Sequence, residues 1–170
     1  VGGALNPARI RPSLFQSEKS IYIVSKKTIM IIKQLSVFLE NRSGRLNKVS
    51  SLLGEAGINM TAFTIADTND YGILRVIVTD PEKALAILKE NDFLVKLTDV
   101  VMLKSPNKPG ALARALHILE TENIPIEYMY AFSIGDSANI VIRPANVQKC
   151  IEILRSHEVE LMRASELYKV

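Results

Sequence analysis

The sequence predicts an α+β protein made of two tandem modules, each of order β-α-β-β-α-β. Three observations carry that expectation. The stretch Asn41 to Met60, NRSGRLNKVSSLLGEAGINM, returns 66 positions later as Asn107 to Ile126, NKPGALARALHILETENIPI. Asn41 matches Asn107, Gly44 matches Gly110, Leu46 matches Leu112, Leu53 matches Leu119 and Ile58 matches Ile124. Apolar strands flank both copies, and the offset is the length of one small domain.

Taken in order, Ile31 to Glu40 reads as a strand and Arg45 to Ala56 as a helix, with Leu46, Val49, Leu52, Leu53 and Ala56 at helical spacing. Gly57 follows as a C-cap. Ile58 to Ala66 is a strand, Asp67 to Tyr71 (DTNDY) a hairpin turn and Gly72 to Val78 the third strand. Asp80, Pro81 and Glu82 open the second helix as N-cap, first-turn proline and first-turn carboxylate, with Ala84, Leu85 and Leu88 facing the core. Phe93 to Leu97 is the fourth strand.

The order then repeats. Val100 to Lys104 is a strand, Ala111 to Glu122 a helix with Leu112, Ala115, Leu116 and Leu119 on one face, and Ile124 to Phe132 a strand. The chain turns at Gly135–Asp136 into the strand Ala138 to Arg143. Asn146, 66 residues after Asp80, caps a helix whose core face is Val147, Cys150, Ile151 and Leu154, and Val159 to Tyr168 is the last strand. Each unit is a ferredoxin-like module: a four-stranded antiparallel sheet with both helices on one face. The expected boundaries are residues 1–29 as a leader or tag-like, loosely packed segment, 30–98 as module 1 and 99–170 as module 2. Met30 is the expected natural start. Thr98–Asp99 is read as the only linker. So short a connection forces the modules together, one arrangement being a single eight-stranded sheet.

Composition narrows the function. Residues 1–30 hold Arg9, Arg11, Lys19, Lys26 and Lys27 against Glu18, leaving 16 of the 21 basic and 17 of the 18 acidic side chains for the remainder. The repeats are therefore near neutral, which argues against a nucleic-acid partner. Apolar runs are short, so no membrane span is expected. One cysteine, Cys150, fits a reducing, cytoplasmic setting and cannot supply a Cys-x-x-Cys metal loop. His117 and His157 sit at predicted boundary positions and Cys150 on a core face; with no nucleophile or phosphate-loop motif, no catalytic residues, metal ligands or cofactor are expected. Tyr128, Tyr130 and Phe132 alternate on one strand face and read as core or inter-module packing.

The strand and loop LSVFLENRSGRL, the helix end GEAGINM, and the weaker second set MLKSPNKPGAL and TENIPI resemble the ACT domain, a small ligand-sensing module, over Ile31 to Val170. The resemblance implies a protein that binds a small molecule, a free amino acid, between two modules and modulates a partner enzyme of amino-acid metabolism, without catalysis of its own. It implies a homodimer as one assembly. It carries a ligand role onto one loop (Asn41, Gly44, Arg45, Leu46), one helix–strand junction (Asn59, Met60, Thr61) and a second loop (Asn107, Gly110, Ala111, Leu112). Where the first copy has Gly57-Ile58-Asn59 the second has Asn123-Ile124-Pro125, so one asymmetric site is expected rather than two equal ones. The alternative is a ligand-free pairing module that holds a partner protein.

Overall fold

The computed structural model describes residues 30–67 and 71–168. The expected leader and the tip of the first hairpin lie outside the described residues. The elements are β1 (Ile32–Glu40), α1 (Arg45–Glu55), β2 (Met60–Asp67), β3 (Tyr71–Val78), α2 (Pro81–Glu90), β4 (Val95–Pro106), α3 (Ala111–Thr121), β5 (Ile126–Ile134), β6 (Ser137–Pro144), α4 (Val147–Ser156) and the short α5 (Ala164–Leu167).

Local chemistry places the helices. The Asp80 carboxylate accepts from the Lys83 N–H at 3.0 Å, and Asn146 Oδ1 accepts from the Lys149 N–H at 2.9 Å. Helices α1 and α3 end alike: Gly57 (φ +71°) and Asn123 (φ +52°) both turn left-handed. The N–H of the next residue then bonds back five positions, Ile58 to Leu53 and Ile124 to Leu119, each at 2.8 Å. The shifted asparagine of the second copy is thereby explained. It takes over the helix stop that glycine performs in the first, asparagine being one of the few residues that tolerates this backbone region.

The strands form one antiparallel sheet in the order β2-β3-β1-β4-β6-β5. Strand β4 runs through the expected linker. Its first half pairs with β1, Val95 opposite Val37 and Val100 opposite Ile32, and its second half pairs with β6, Val101 opposite Ile142 and Pro106 opposite Ser137. Thr98 and Asp99 are therefore not a linker: they lie in the ladder opposite Gln34 and Lys33. Their polarity is met by partners, since Asp99 is 2.6 Å from Lys33 Nζ and Thr98 Oγ1 is 3.2 Å from Ser36 Oγ. One strand thus serves as the last of module 1 and the first of module 2.

The expected final strand is also corrected. Only Leu161 bridges to Leu103, supported by Lys104 N–H to Glu160 O at 2.9 Å and Met162 N–H to Met102 O at 2.8 Å. The chain then turns into α5, where Glu166 accepts from the Arg163 N–H at 3.1 Å and Leu167 is buried. A capping carboxylate three residues into Arg-Ala-Ser-Glu favours a helical turn over continued pairing. Among the described residues six strands result where eight were expected.

Three cores follow. Leu35, Val37, Leu74, Val76 and Val95 meet α1 and α2 through Val49, Leu53, Ala84 and Leu88. Val101, Leu103, Ile140 and Ile142 meet α3 and α4 through Ala115, Leu119, Cys150, Ile151 and Leu154. Ile32, Ala62, Ile77, Val100, Met102, Val141 and Leu167 form the third, on the helix-free side. Strands β3 and β5 stand four places apart, roughly 19 Å in a flat sheet. Yet Arg75 of β3 lies 4.0 Å from the Tyr128 ring of β5. The sheet therefore curls over on itself, so that its helix-free faces meet.

A shared strand should make the two halves melt together. A single calorimetric transition is expected, with calorimetric and van't Hoff enthalpies equal. Leu35→Ala, at a fully buried position of the first core, should cost about 2–5 kcal/mol and move the whole transition. Two separate transitions, only one of them shifted, would show that β4 does not couple the halves.

Candidate functional site

The four long helices of the described residues divide into two kinds. Side chains cap α2 and α4, whereas α1 and α3 begin at glycines with no side-chain cap. Gly44 (φ +87°, ψ −14°) and Gly110 (φ +81°, ψ −9°) adopt nearly the same left-handed conformation. A Cβ at Gly44 would meet nothing within 4 Å, and at Gly110 only the Arg114 guanidinium at 4.0 Å. Glycine is required here by the backbone angle and not by space. Arg45 N–H reaches Arg42 O at 3.3 Å and Ala111 N–H reaches Lys108 O at 3.2 Å, so both loops close on themselves in the same way. The next N–H groups, of Leu46 and Asn47 and of Leu112 and Ala113, stand at the positive end of each helix.

The expected site residues are distributed as follows. Asn41, Gly44, Leu46, Asn59, Thr61, Asn107, Gly110 and Leu112 are exposed, Arg45 and Met60 half-buried and Ala111 buried. The Arg45 guanidinium lies 4.5 Å from the Phe93 ring centroid. Asn107 ties its loop to the β5–β6 turn: its N–H donates to Asp136 O at 2.8 Å and its Nδ2 to Gly135 O at 3.2 Å. Asn59 N–H donates to the Thr79 hydroxyl at 3.1 Å, and Thr79 N–H returns to Asn59 O at 3.1 Å. In the second copy Ala145 N–H reaches Pro125 O at 3.0 Å, but Pro125 has no N–H to donate, so the junctions match in one bond and differ in the other.

Loop and junction of one module do not meet. They flank opposite ends of α1, whose 11 residues place them roughly 16 Å apart. The concavity beside the second loop is lined by Lys104, Ser105, Pro106, Lys108, Asp136, Ser137 and Glu160, and holds none of the first-loop or junction residues. A small ligand that touched a loop and a junction together would require a second module at that surface.

The titratable side chains singled out in the sequence are placed as follows. His117 and His157 are exposed, 3.6 Å from Glu120 and 4.0 Å from Glu122. Cys150 is buried, and burial pushes its thiol up to about 12, so it stays protonated at neutral pH. Among the described residues no group of three or more His, Cys, Asp or Glu is arranged to hold a metal, and no helix is long and apolar enough to cross a membrane.

A polar cluster between the two halves was not anticipated. Gln34 is fully buried. Its Nε2 donates to Tyr128 Oη at 2.9 Å and to Ser36 Oγ at 3.2 Å, and its Oε1 accepts from Tyr130 Oη at 3.1 Å. Burial raises the Tyr130 hydroxyl above the ordinary phenol range, with the nearby Tyr128 adding to the effect. Tyr128 and Tyr130 are thus module-interface residues, as their alternation suggested. Beside this cluster opens a cleft of about 590 Å³, lined among others by Phe38, Arg75, Lys96, Glu127, Tyr128 and Arg143. The sequence offered one signal for it, an arginine inside the apolar run Gly72-Ile73-Leu74-Arg75-Val76.

The family of ACT domain pairs matches residues 30–170. A crystal structure of a Bacteroides thetaiotaomicron protein is 53% identical with a TM-score of 0.80, covering 83% of this chain and 98% of that one. The ligand-free regulatory subunit of aspartate kinase from Thermus thermophilus has a TM-score of 0.56 at 12% identity, covering 75% of this chain and 92% of that one, a likeness of fold. The acetolactate synthase isozyme 3 small subunit of Escherichia coli is 30% identical over 90 residues, 52% of this chain and 54% of that subunit. The alignment thus spans about half the length of that relative.

Gln34→Leu should cost about 1–3 kcal/mol, because it strips both tyrosine hydroxyls of a partner. In a Tyr128→Phe, Tyr130→Phe background the same change should cost much less; an equal cost in both, read from urea denaturation, would show that the hydrogen bonds are not its source. Cys150 should resist a thiol reagent until the chain unfolds. Its folded pKa is raised, so its contribution to stability is complete below the ordinary value of 9.0 and is lost as pH climbs through about 12. Fast native-state labelling at pH 8 would contradict the burial.

Proposed function

The chain belongs to the family of paired ACT domains, and on that premise we propose that it is a regulatory, non-catalytic protein that senses a free amino acid and modulates a partner enzyme of amino-acid metabolism. The observation that carries the reading is the pair of uncapped helix starts, Gly44 and Gly110, held in matching geometry while the other two long helices are capped. An amino acid's carboxylate suits such N–H groups. Its ammonium suits amide oxygens such as that of Asn41, Asn59 or Asn107. The names of the relatives support the same class: one is a small subunit of acetolactate synthase and another a regulatory subunit of aspartate kinase.

The ligand contacts on this reading come from Asn41, Gly44, Arg45 and Leu46, from Asn59, Met60 and Thr61, and from Asn107, Gly110, Ala111 and Leu112. A second copy of the chain supplies the missing half of the site. Two features favour that arrangement. Loop and junction of one module lie at opposite ends of α1, and β2, the edge strand among the described residues, exposes Phe63 (58%) and Ile65 (41%). The asymmetry between Asn59 and Pro125 favours junctions of unequal strength.

A thermal-shift screen against the free amino acids tests this. Ligand at about a hundred times its dissociation constant should stabilise by about 2.7 kcal/mol, or roughly 5–10 °C for a chain of this size. Gly44→Ala combined with Asn59→Ala should abolish the shift of any hit. A hit that survives both changes would remove the ligand from these loops. A screen without hits would favour the pairing module that holds its partner with no ligand.

A further inference from the structure

We propose that the cleft between the two halves is a second binding site, for a small carboxylate carried on an apolar body, separate from the helix-start loops. The register builds its floor. Arg75, Ser36 and Lys96 lie in one cross-strand row over β3, β1 and β4. Phe38 and Ile73 form the neighbouring pair on the same face. Tyr128 and Arg143, paired across β5 and β6, close the cleft from the other half. A register shift between Ile126 and Tyr128 accompanies the unusual lining, in which consecutive residues Glu127 and Tyr128 both reach the cleft.

Charge and hydrogen-bond supply select the ligand. Arg75, Lys96 and Arg143 face a single lining carboxylate, Glu127. That carboxylate is already committed, 3.5 Å from Arg143 Nε. Arg143 Nε is buried without a hydrogen bond, while its other arm donates to Asp99 O at 2.9 Å. The half-buried Arg75 rests on the Tyr128 ring and, among the described residues, has no carboxylate or hydrogen-bond acceptor; Lys96 has no ion pair there either. Ring stacking leaves the donor edge of a guanidinium free for a bidentate acceptor. Unused donors of one sign, in a cleft walled by Phe38, Ile73, Leu94 and Val95, fit an anion with a hydrocarbon body. The volume of about 590 Å³ is that of a small-molecule site.

Calorimetric titration with three probes of one carbon skeleton tests the assignment: 4-methylpentanoate, its 2-amino derivative leucine, and 4-methylpentan-1-ol. The carboxylate should bind and the alcohol should not. Arg75→Leu and, at an exposed position safe for folding, Lys96→Gln should each weaken the carboxylate about tenfold or more. Gly44→Ala with Asn59→Ala should leave it unchanged. Leucine binding that is lost in the cleft variants and kept in the loop variants would support the cleft and remove the amino acid from the loops. No binding of the carboxylate at about 10 mM, equal binding of the alcohol, or affinity unmoved by both Arg75→Leu and Lys96→Gln would overturn the site.

Discussion

Strand β4 belongs to two cores at once: Val95 packs under α1 and α2, and Val101 and Leu103 pack under α3 and α4. Its two halves find different partners, β1 for the first and β6 for the second, so neither module has a complete sheet without it. The rest of the architecture depends on this sharing. The even-numbered residues of β4 face away from the helices, and Val100 and Met102 are fully buried there. Burial on a face with no helices requires another cover, and the opposite half of the same curled sheet provides it.

That closure brings polar groups into contact with an apolar layer, and the structure satisfies them in pairs. Gln34 is fully buried but spends both ends of its amide on hydroxyls of the facing strand. A buried amide without such partners would cost more than the contacts around it return. The tyrosines therefore do two things: their rings extend the apolar layer, and their hydroxyls fix its alignment. Arg75 and Arg143 are exceptions: the Arg75 guanidinium is stacked on Tyr128 with no counter-charge among the described residues, and Arg143 Nε is buried without a hydrogen bond.

The helix starts show a second division of labour. Helices α2 and α4 spend a side chain on their first turn and are locally complete. Helices α1 and α3 start at left-handed glycines and leave first-turn donors uncovered. Any regulatory role needs a ligand that favours one arrangement of the modules over another. A chain whose halves share a strand has little freedom at that joint, so arrangements between chains are the more natural variable.

The sequence by itself determined the local elements. Periodicity located every long helix, the Asp80-Pro81-Glu82 and Asn146 caps were legible from their chemistry, and the repeated Asn-x-x-Gly pattern marked the two open helix starts. These are short-range effects, set by residues within one turn of each other. The role of Thr98–Asp99 was not legible, because a polar pair between apolar runs looks the same in a linker as in a strand whose polar groups are met by Lys33 and Ser36. Nor was the loss of the last strand, which depends on Leu167 being buried after a helical turn. The cleft was least legible of all: Tyr128 lies far from Arg75 in the chain and in a flat sheet. Only the curl of the sheet, driven by burial of its helix-free faces, brings them together.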